Sequence, residues 1–143
     1  MSAEENKAIT QRAIERFNGG DLAGYLDLYD KSLVIHGYPP ELPPNFEGIK
    51  QFYDALMPAF PDARVTGEDM VAEGDEVAYR FTFRGTNRGE FMGIPATGGQ
   101  VTVSGIAICR FVDGKCVERW MSADMLGMMQ QLGVIPAPEA TEA

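Results

Sequence analysis

A chain of 143 residues, 45% of them apolar, 10% aromatic and 23% charged, has the material for one globular core; this excludes two ordinary domains and disorder throughout. Twelve Lys and Arg against 21 Asp and Glu leave a net charge of −9, a field that disfavours nucleic acid and anionic membrane surfaces as partners. The segment Met1–Lys7 opens with acids rather than a basic and then apolar leader, and no apolar run reaches the span of a membrane helix, so the expectation is a soluble cytoplasmic protein. Cys109 and Cys116 lack CxxC spacing and His36 is the single histidine, so no metal is expected.

Ala8, Ile9, Ala13, Ile14 and Phe17 recur at helical steps and Asn18-Gly19-Gly20 ends the pattern, which predicts an amphipathic helix from Ala3 to Phe17. Asp21 is a candidate N-cap for a second, short helix, and Leu33-Val34-Ile35-His36 reads as a strand. Four prolines between Gly37 and Asn45 make that stretch a loop, and a third helix is expected over about 47–59. The period then becomes two, with strands expected over about 63–72, 75–86, 99–112 and 115–123. Turn signals at Glu73-Gly74-Asp75 and Asp113-Gly114 make neighbouring strands antiparallel. A last helix from Asp124 to Leu132 precedes a tail, 136–143, expected to be disordered. Helices first and a meander after them predict an α+β domain over 1–135: a cone-shaped, curved antiparallel sheet wrapped around the N-terminal helices, its mouth open.

A two-residue turn at Asp113-Gly114 pairs Val112 with Lys115; continued without interruption, it pairs Cys109 with Glu118 and Ala107 with Trp120. On that register Val101, Val103, Gly105, Ala107, Cys109, Phe111, Cys116, Glu118, Trp120, Ser122 and Asp124 face the interior, Gly105 and Ala107 making room for Trp120. Val77, Tyr79, Phe81 and Phe83 join them from the preceding strand. The opposite face then holds Ile106, Ile108, Val117 and Met121 between Arg110 and Arg119, an apolar patch that predicts a homodimer. Cys109 and Cys116 sit diagonally, a poor geometry for a disulfide, and are expected as reduced thiols.

Dinucleotide, P-loop, zincin and serine-hydrolase motifs are absent from the sequence. What remains is a carboxylate in an apolar cone. Asp124, if the last strand runs unbroken to it, is a desolvated acid suited to proton transfer; equally, it stands where the N-cap of the last helix belongs. His36, at the end of the first strand, is a candidate helper at the rim. Glu118, beside Trp120, is a second candidate acid or an edge residue. Tyr25, Tyr29, Tyr53, Met57, Phe60, Phe81, Phe83, Phe91 and Met92 are candidates for the walls of a pocket for a hydrophobic small molecule, or ordinary core.

The stretch Arg84 to Gly98, then Cys109-Arg110-Phe111-Val112-Asp113-Gly114-Lys115, Glu118-Arg119-Trp120 and Asp124 to Gly133 resembles the SnoaL-like polyketide cyclases of the ketosteroid isomerase and nuclear-transport-factor-2-like superfamily, over about residues 4–135. The resemblance implies a dimeric α+β barrel and a cofactor-free site in which Asp124 is the general acid/base, with His36 or Asn87 as polar helper. It implies an aldol-type cyclisation, or an isomerisation of the same kind, on a polyketide-like carbonyl compound. Family members commonly carry His where this chain has Asn87 and Arg119, so their supporting imidazoles are missing. A hydrolase or hydroxylase-like enzyme on the same cone, and a non-catalytic binding or dimerisation module, are the alternatives.

Overall fold

The computed structural model describes residues 1–136, so the expected tail lies, from residue 137 on, outside the described residues. Helix α1 (Ala3–Asn18) starts in a capping box, Ser2 Oγ accepting from the Glu5 amide and the Glu5 carboxylate from the Ser2 amide, each at 3.1 Å. Its buried stripe is Asn6, Thr10, Ala13 and Phe17. Asp21 caps α2 (Leu22–Leu26) through the Gly24 amide at 2.9 Å. Strand β1 (Tyr29–His36) and the proline loop follow, and Asn45 caps α3 (Phe46–Ala59). Strands β2 (Arg64–Glu73), β3 (Glu76–Thr86), β4 (Gln100–Val112) and β5 (Lys115–Ala123) form the meander, and α4 (Met125–Gln131) closes the described chain.

The sheet runs β1-β5-β4-β3-β2, antiparallel except for the parallel pairing of β1 with β5. It curves without closing, with α1 against β2 and β3, α3 against β1 and α4 against β4. This is the expected cone. None of the described helices is long and apolar enough to cross a membrane.

One feature of the β4–β5 hairpin departs from the sequence expectation. Asp113 and Gly114, at φ 49° and 79°, make the tight turn, and Val112 pairs with Lys115 and Phe111 with Cys116 as expected. The register then slips: Arg110 pairs with Glu118, Cys109 with Arg119, Ile108 with Trp120 and Ala107 with Met121. Val117 is the extra residue of a β-bulge, and a slip of one residue turns every later side chain to the other face. Glu118 and Trp120 therefore face outward, and Arg119, Met121 and Ala123 face the interior. Gly105 serves a different neighbour from the one expected: a Cβ there would lie 2.4 Å from Phe81 Cζ, so the glycine makes room for the Phe81 ring rather than for Trp120. The outer face, in turn, gains Trp120 beside Ile106 and Ile108 and loses Met121 and Arg119.

Candidate active site

The concave side of the sheet and the helices over it enclose an apolar cavity of about 750 Å³, counting its open mouth. Phe17 of α1, Tyr25 of α2, Phe52, Tyr53 and Leu56 of α3, Tyr79, Phe81 and Phe83 of β3 and the loop residue Phe91 line it. Alternate residues of β5 and its continuation, Arg119, Met121, Ala123 and Met125, form one wall along its length. At about 3.3 Å per strand residue, Arg119 and Ala123 lie about 13 Å apart, so the cavity is elongated, with Arg119 near one end and α4 near the other.

Arg119 is the cavity's charged lining residue and is only 2% exposed. Its Nε donates to the Tyr38 hydroxyl at 2.8 Å, and its Nη1 to the Tyr79 hydroxyl at 2.8 Å and to Cys109 Sγ at 3.2 Å. The guanidinium also lies over the rings of Tyr29 and Tyr79, 5.8 and 5.6 Å from their centroids. Among the described residues no carboxylate pairs with it, and Nη2 donates no hydrogen bond while keeping some accessible surface. Behind it the Tyr25 hydroxyl is hydrogen-bonded to those of Tyr29 and Tyr53. Burial pushes the tyrosines up, Tyr79 to about 12, and Tyr25, Tyr29, Tyr38 and Tyr53 in the same direction, so all five are neutral hydrogen-bonding groups at physiological pH. Burial works against the charge on Arg119, but the ring of tyrosine oxygens outweighs it and the group stays protonated. The result is a dry wall, a polar floor and one outstretched cationic donor.

Several predicted site residues meet here: Tyr25, Tyr53, Phe81, Phe83 and Phe91 line the cavity, and Tyr29 lies in the layer beneath. Others do not. Phe60 is wholly buried core packed edge-on against Phe83 and Phe91, Met57 only flanks the core, and Met92 is exposed at φ 52°. The bulge removes Trp120 and Glu118 from the interior: His36 stacks on Trp120, with centroids 5.2 Å apart, and bonds Glu118 through Nε2 at 2.8 Å. The hydrogen bond from His36, aided by Arg110, holds the Glu118 carboxyl below its ordinary range. His36 is thus part of an outer-face cluster, not a helper at the cavity. Asn87 is fully buried and holds the loop before β4, donating to the Gly89 carbonyl and accepting from the Thr97 amide, both at 2.8 Å.

Asp124 is not a desolvated acid beside Trp120. The strand ends at Ala123, and Asp124 is exposed and caps α4, Oδ1 accepting from the Gly127 amide at 2.9 Å. It nevertheless sits between Ala123 and Met125, both lining residues, at the end of the cavity opposite Arg119. Arg119, the residue the sequence reading placed outside, is the main functional candidate it missed. Among the described residues no three His, Cys, Asp or Glu side chains gather as a metal site would need.

Solved structures share this architecture. AclR from Streptomyces galilaeus, described as a candidate hydroxylase, is similar at 32% identity with a TM-score of 0.85, the match covering 94% of this chain and 100% of AclR. IdmH from Streptomyces antibioticus, described as a candidate polyketide cyclase, is 34% identical over 90% of this chain and 98% of its own, with a TM-score of 0.76. TsrD from Streptomyces laurentii is 26% identical over 94% and 99%, with a TM-score of 0.83. None of the curated proteins matches the chain. Residues 7–132 match the family described as SnoaL-like polyketide cyclase, and with that match spanning most of its length, the chain belongs to the SnoaL-like polyketide cyclase family.

Proposed function

We propose that the protein is an enzyme that binds an elongated, hydrophobic compound bearing several carbonyl groups and closes a ring in it by cofactor-free proton transfer. The observation that carries this reading is the pairing of apolar walls with a buried cationic residue, Arg119, whose Nη2 donates no hydrogen bond within the protein and keeps some accessible surface. An electron-rich oxygen is what such a donor lacks, and a carbonyl or enolate oxygen at the end of an apolar body supplies it. Arg119 anchors that oxygen, and Tyr38 and Tyr79 hold the guanidinium in place.

The acid/base is assigned to Asp124, which caps α4 and whose chain neighbours Ala123 and Met125 line the cavity. Its carboxylate takes a proton from a carbon α to a carbonyl near the mouth, the enolate carbon bonds to a second carbonyl carbon, and the alkoxide so formed takes the proton back. Because Arg119 and Asp124 are separated along the cavity, the first governs how the substrate is held and the second the chemical step.

The test is turnover of an aryl δ-diketone whose aldol closure gives a hydroxycyclohexanone that loses water to a conjugated cyclohexenone, followed by absorbance. Asp124→Asn keeps the cap, since Asn accepts the Gly127 amide as well as Asp does, but cannot take a proton. It is expected to lower kcat about 100-fold or more with KM little changed. Undiminished turnover in that variant overturns the assignment of Asp124, and binding without turnover in the wild type leaves a small-molecule-binding protein instead of an enzyme.

A further inference from the structure

Arg119 poses a problem of charge that the site as described does not solve. A guanidinium taken out of water without an anion is expensive to bury, and the groups that face it are Tyr25 from α2, Tyr29 from β1, Tyr38 from the proline loop, Tyr53 from α3, Tyr79 from β3, Cys109 from β4 and Cys116 from β5. No carboxylate is among them. Of these groups the thiols are intrinsically the more acidic, with ordinary values near about 8.5 against about 10 for a phenol. Cys109 Sγ is the one in direct contact with Arg119, accepting from Nη1 at 3.2 Å, and it is wholly buried opposite Arg119 in the β4–β5 ladder.

We propose that Cys109 is the internal counter-ion of Arg119, carrying a thiolate in the empty cavity and taking up a proton from solvent when an anionic oxygen docks on the guanidinium. The electrostatics agree in direction: the neighbouring Cys116 thiol, and then the nearby positive charge of Arg119, outweigh burial and bring Cys109 down to about 6, while the same partnership pushes the Cys116 thiol up. Cys116 Sγ itself donates to the Glu118 carbonyl at 3.3 Å. One proton is thus lost from the pair, from Cys109. The pair makes the floor close to neutral when empty and cationic once Cys109 is protonated, so an acidic ligand is held more tightly as pH falls through the Cys109 titration. The first half of this proposal stands apart from the proposed reaction; the second rests on Arg119 as the ligand's anchor.

The experiment is a pH titration of the far-ultraviolet thiolate band in the folded, ligand-free wild type, with urea-unfolded protein as reference. The folded protein is expected to show one thiolate appearing near pH 6, retained in Cys116→Ser and lost in Cys109→Ser. A wild type with no thiolate until the ordinary range of about 8.5, or a step that survives Cys109→Ser, overturns it, and the wild-type titration decides even if a variant fails to fold. Calorimetry with naphthoate as probe, in two buffers of different ionisation enthalpy, then reads the coupling: uptake of about one proton per naphthoate above the titration is expected, and binding without uptake refutes it. Failure of naphthoate to bind, beside an intact thiolate step, counts against the anchor and against proton-coupled docking but not against the ion pair.

Discussion

Replacing Arg119 by methionine removes the cationic donor while keeping an unbranched chain of similar reach inside the cavity. In the wild type Nη2 is free to donate to a ligand oxygen, and a charge-assisted hydrogen bond of that kind contributes about 1.5–3 kcal/mol, or about 10- to 150-fold in Kd. A monoketone of the same skeleton, lacking the second oxygen, should lose much less. Stability should change little. This holds where Cys109 is protonated, below about pH 6: hydrogen bonds to Tyr38, Tyr79 and Cys109 go, yet so does the cost of burying the guanidinium. At higher pH the variant also loses the partner of the Cys109 thiolate, and a larger drop is expected. The assay is calorimetric binding of an aryl β-diketone and its monoketone counterpart to wild type and Arg119→Met, with urea unfolding of both proteins. An equal loss for the two ligands, or a loss below about threefold for the diketone, refutes the anchoring role. A collapse in stability would instead make Arg119 a structural residue.

Gly105→Ala forces the Phe81 ring to move, since the new Cβ would lie 2.4 Å from Cζ, and should cost about 1–3 kcal/mol by urea unfolding. Cys109 is held down from 9.0 to about 6 in the folded chain, so its contribution to stability is present above the unfolded value and lost as pH falls through the folded one. The stability gap between wild type and Cys109→Ser should therefore shrink as pH falls from about 9 to about 6, and a gap independent of pH contradicts the ion pair. Glu118 is likewise depressed below 4.5 by His36 and Arg110; unfolding of wild type against Glu118→Gln should show a difference near neutrality that fades as pH drops below about 4.5. Ile106, 54% exposed on the outer face with Trp120 and Ile108 nearby, is where a charge should separate paired copies. We propose that copies pair through this face: wild type is expected to sediment as a dimer and Ile106→Glu as a monomer, and an unchanged dimer moves the interface elsewhere.

Helix and strand positions were readable because local signals agreed. Asp21 and Asp124 cap the helices they precede, as their positions implied, and the change of period after Phe60 marks the start of the meander. The α+β cone followed from that order. The interior of β5 was not readable from alternation, because Cys116-Val117-Glu118-Arg119-Trp120-Met121 offers apolar residues to either face. A bulge depends on the partner strand. A warning was nevertheless present: the unbroken register buried Glu118 without a partner, which is costly, whereas a slip of one residue sets it against Arg110 and within reach of His36. Accepting the slip would have turned Arg119 inward and Trp120 outward. The aromatic wall survived because β3 keeps its alternation, with Tyr79, Phe81 and Phe83 all lining the cavity. Asp124 was readable as a cap but not as a residue of the interior, since its burial depended on the same unbroken strand.

The role of Arg119 as the anchor for a ligand oxygen is tested most directly by a crystal structure of the wild type soaked with an aryl β-diketone. An oxygen of the diketone is expected within hydrogen-bond distance of Arg119 Nη2, with the aryl group among Phe81, Phe83 and Phe91. A diketone bound with its oxygens toward α4 and its ring against Arg119 would contradict that role.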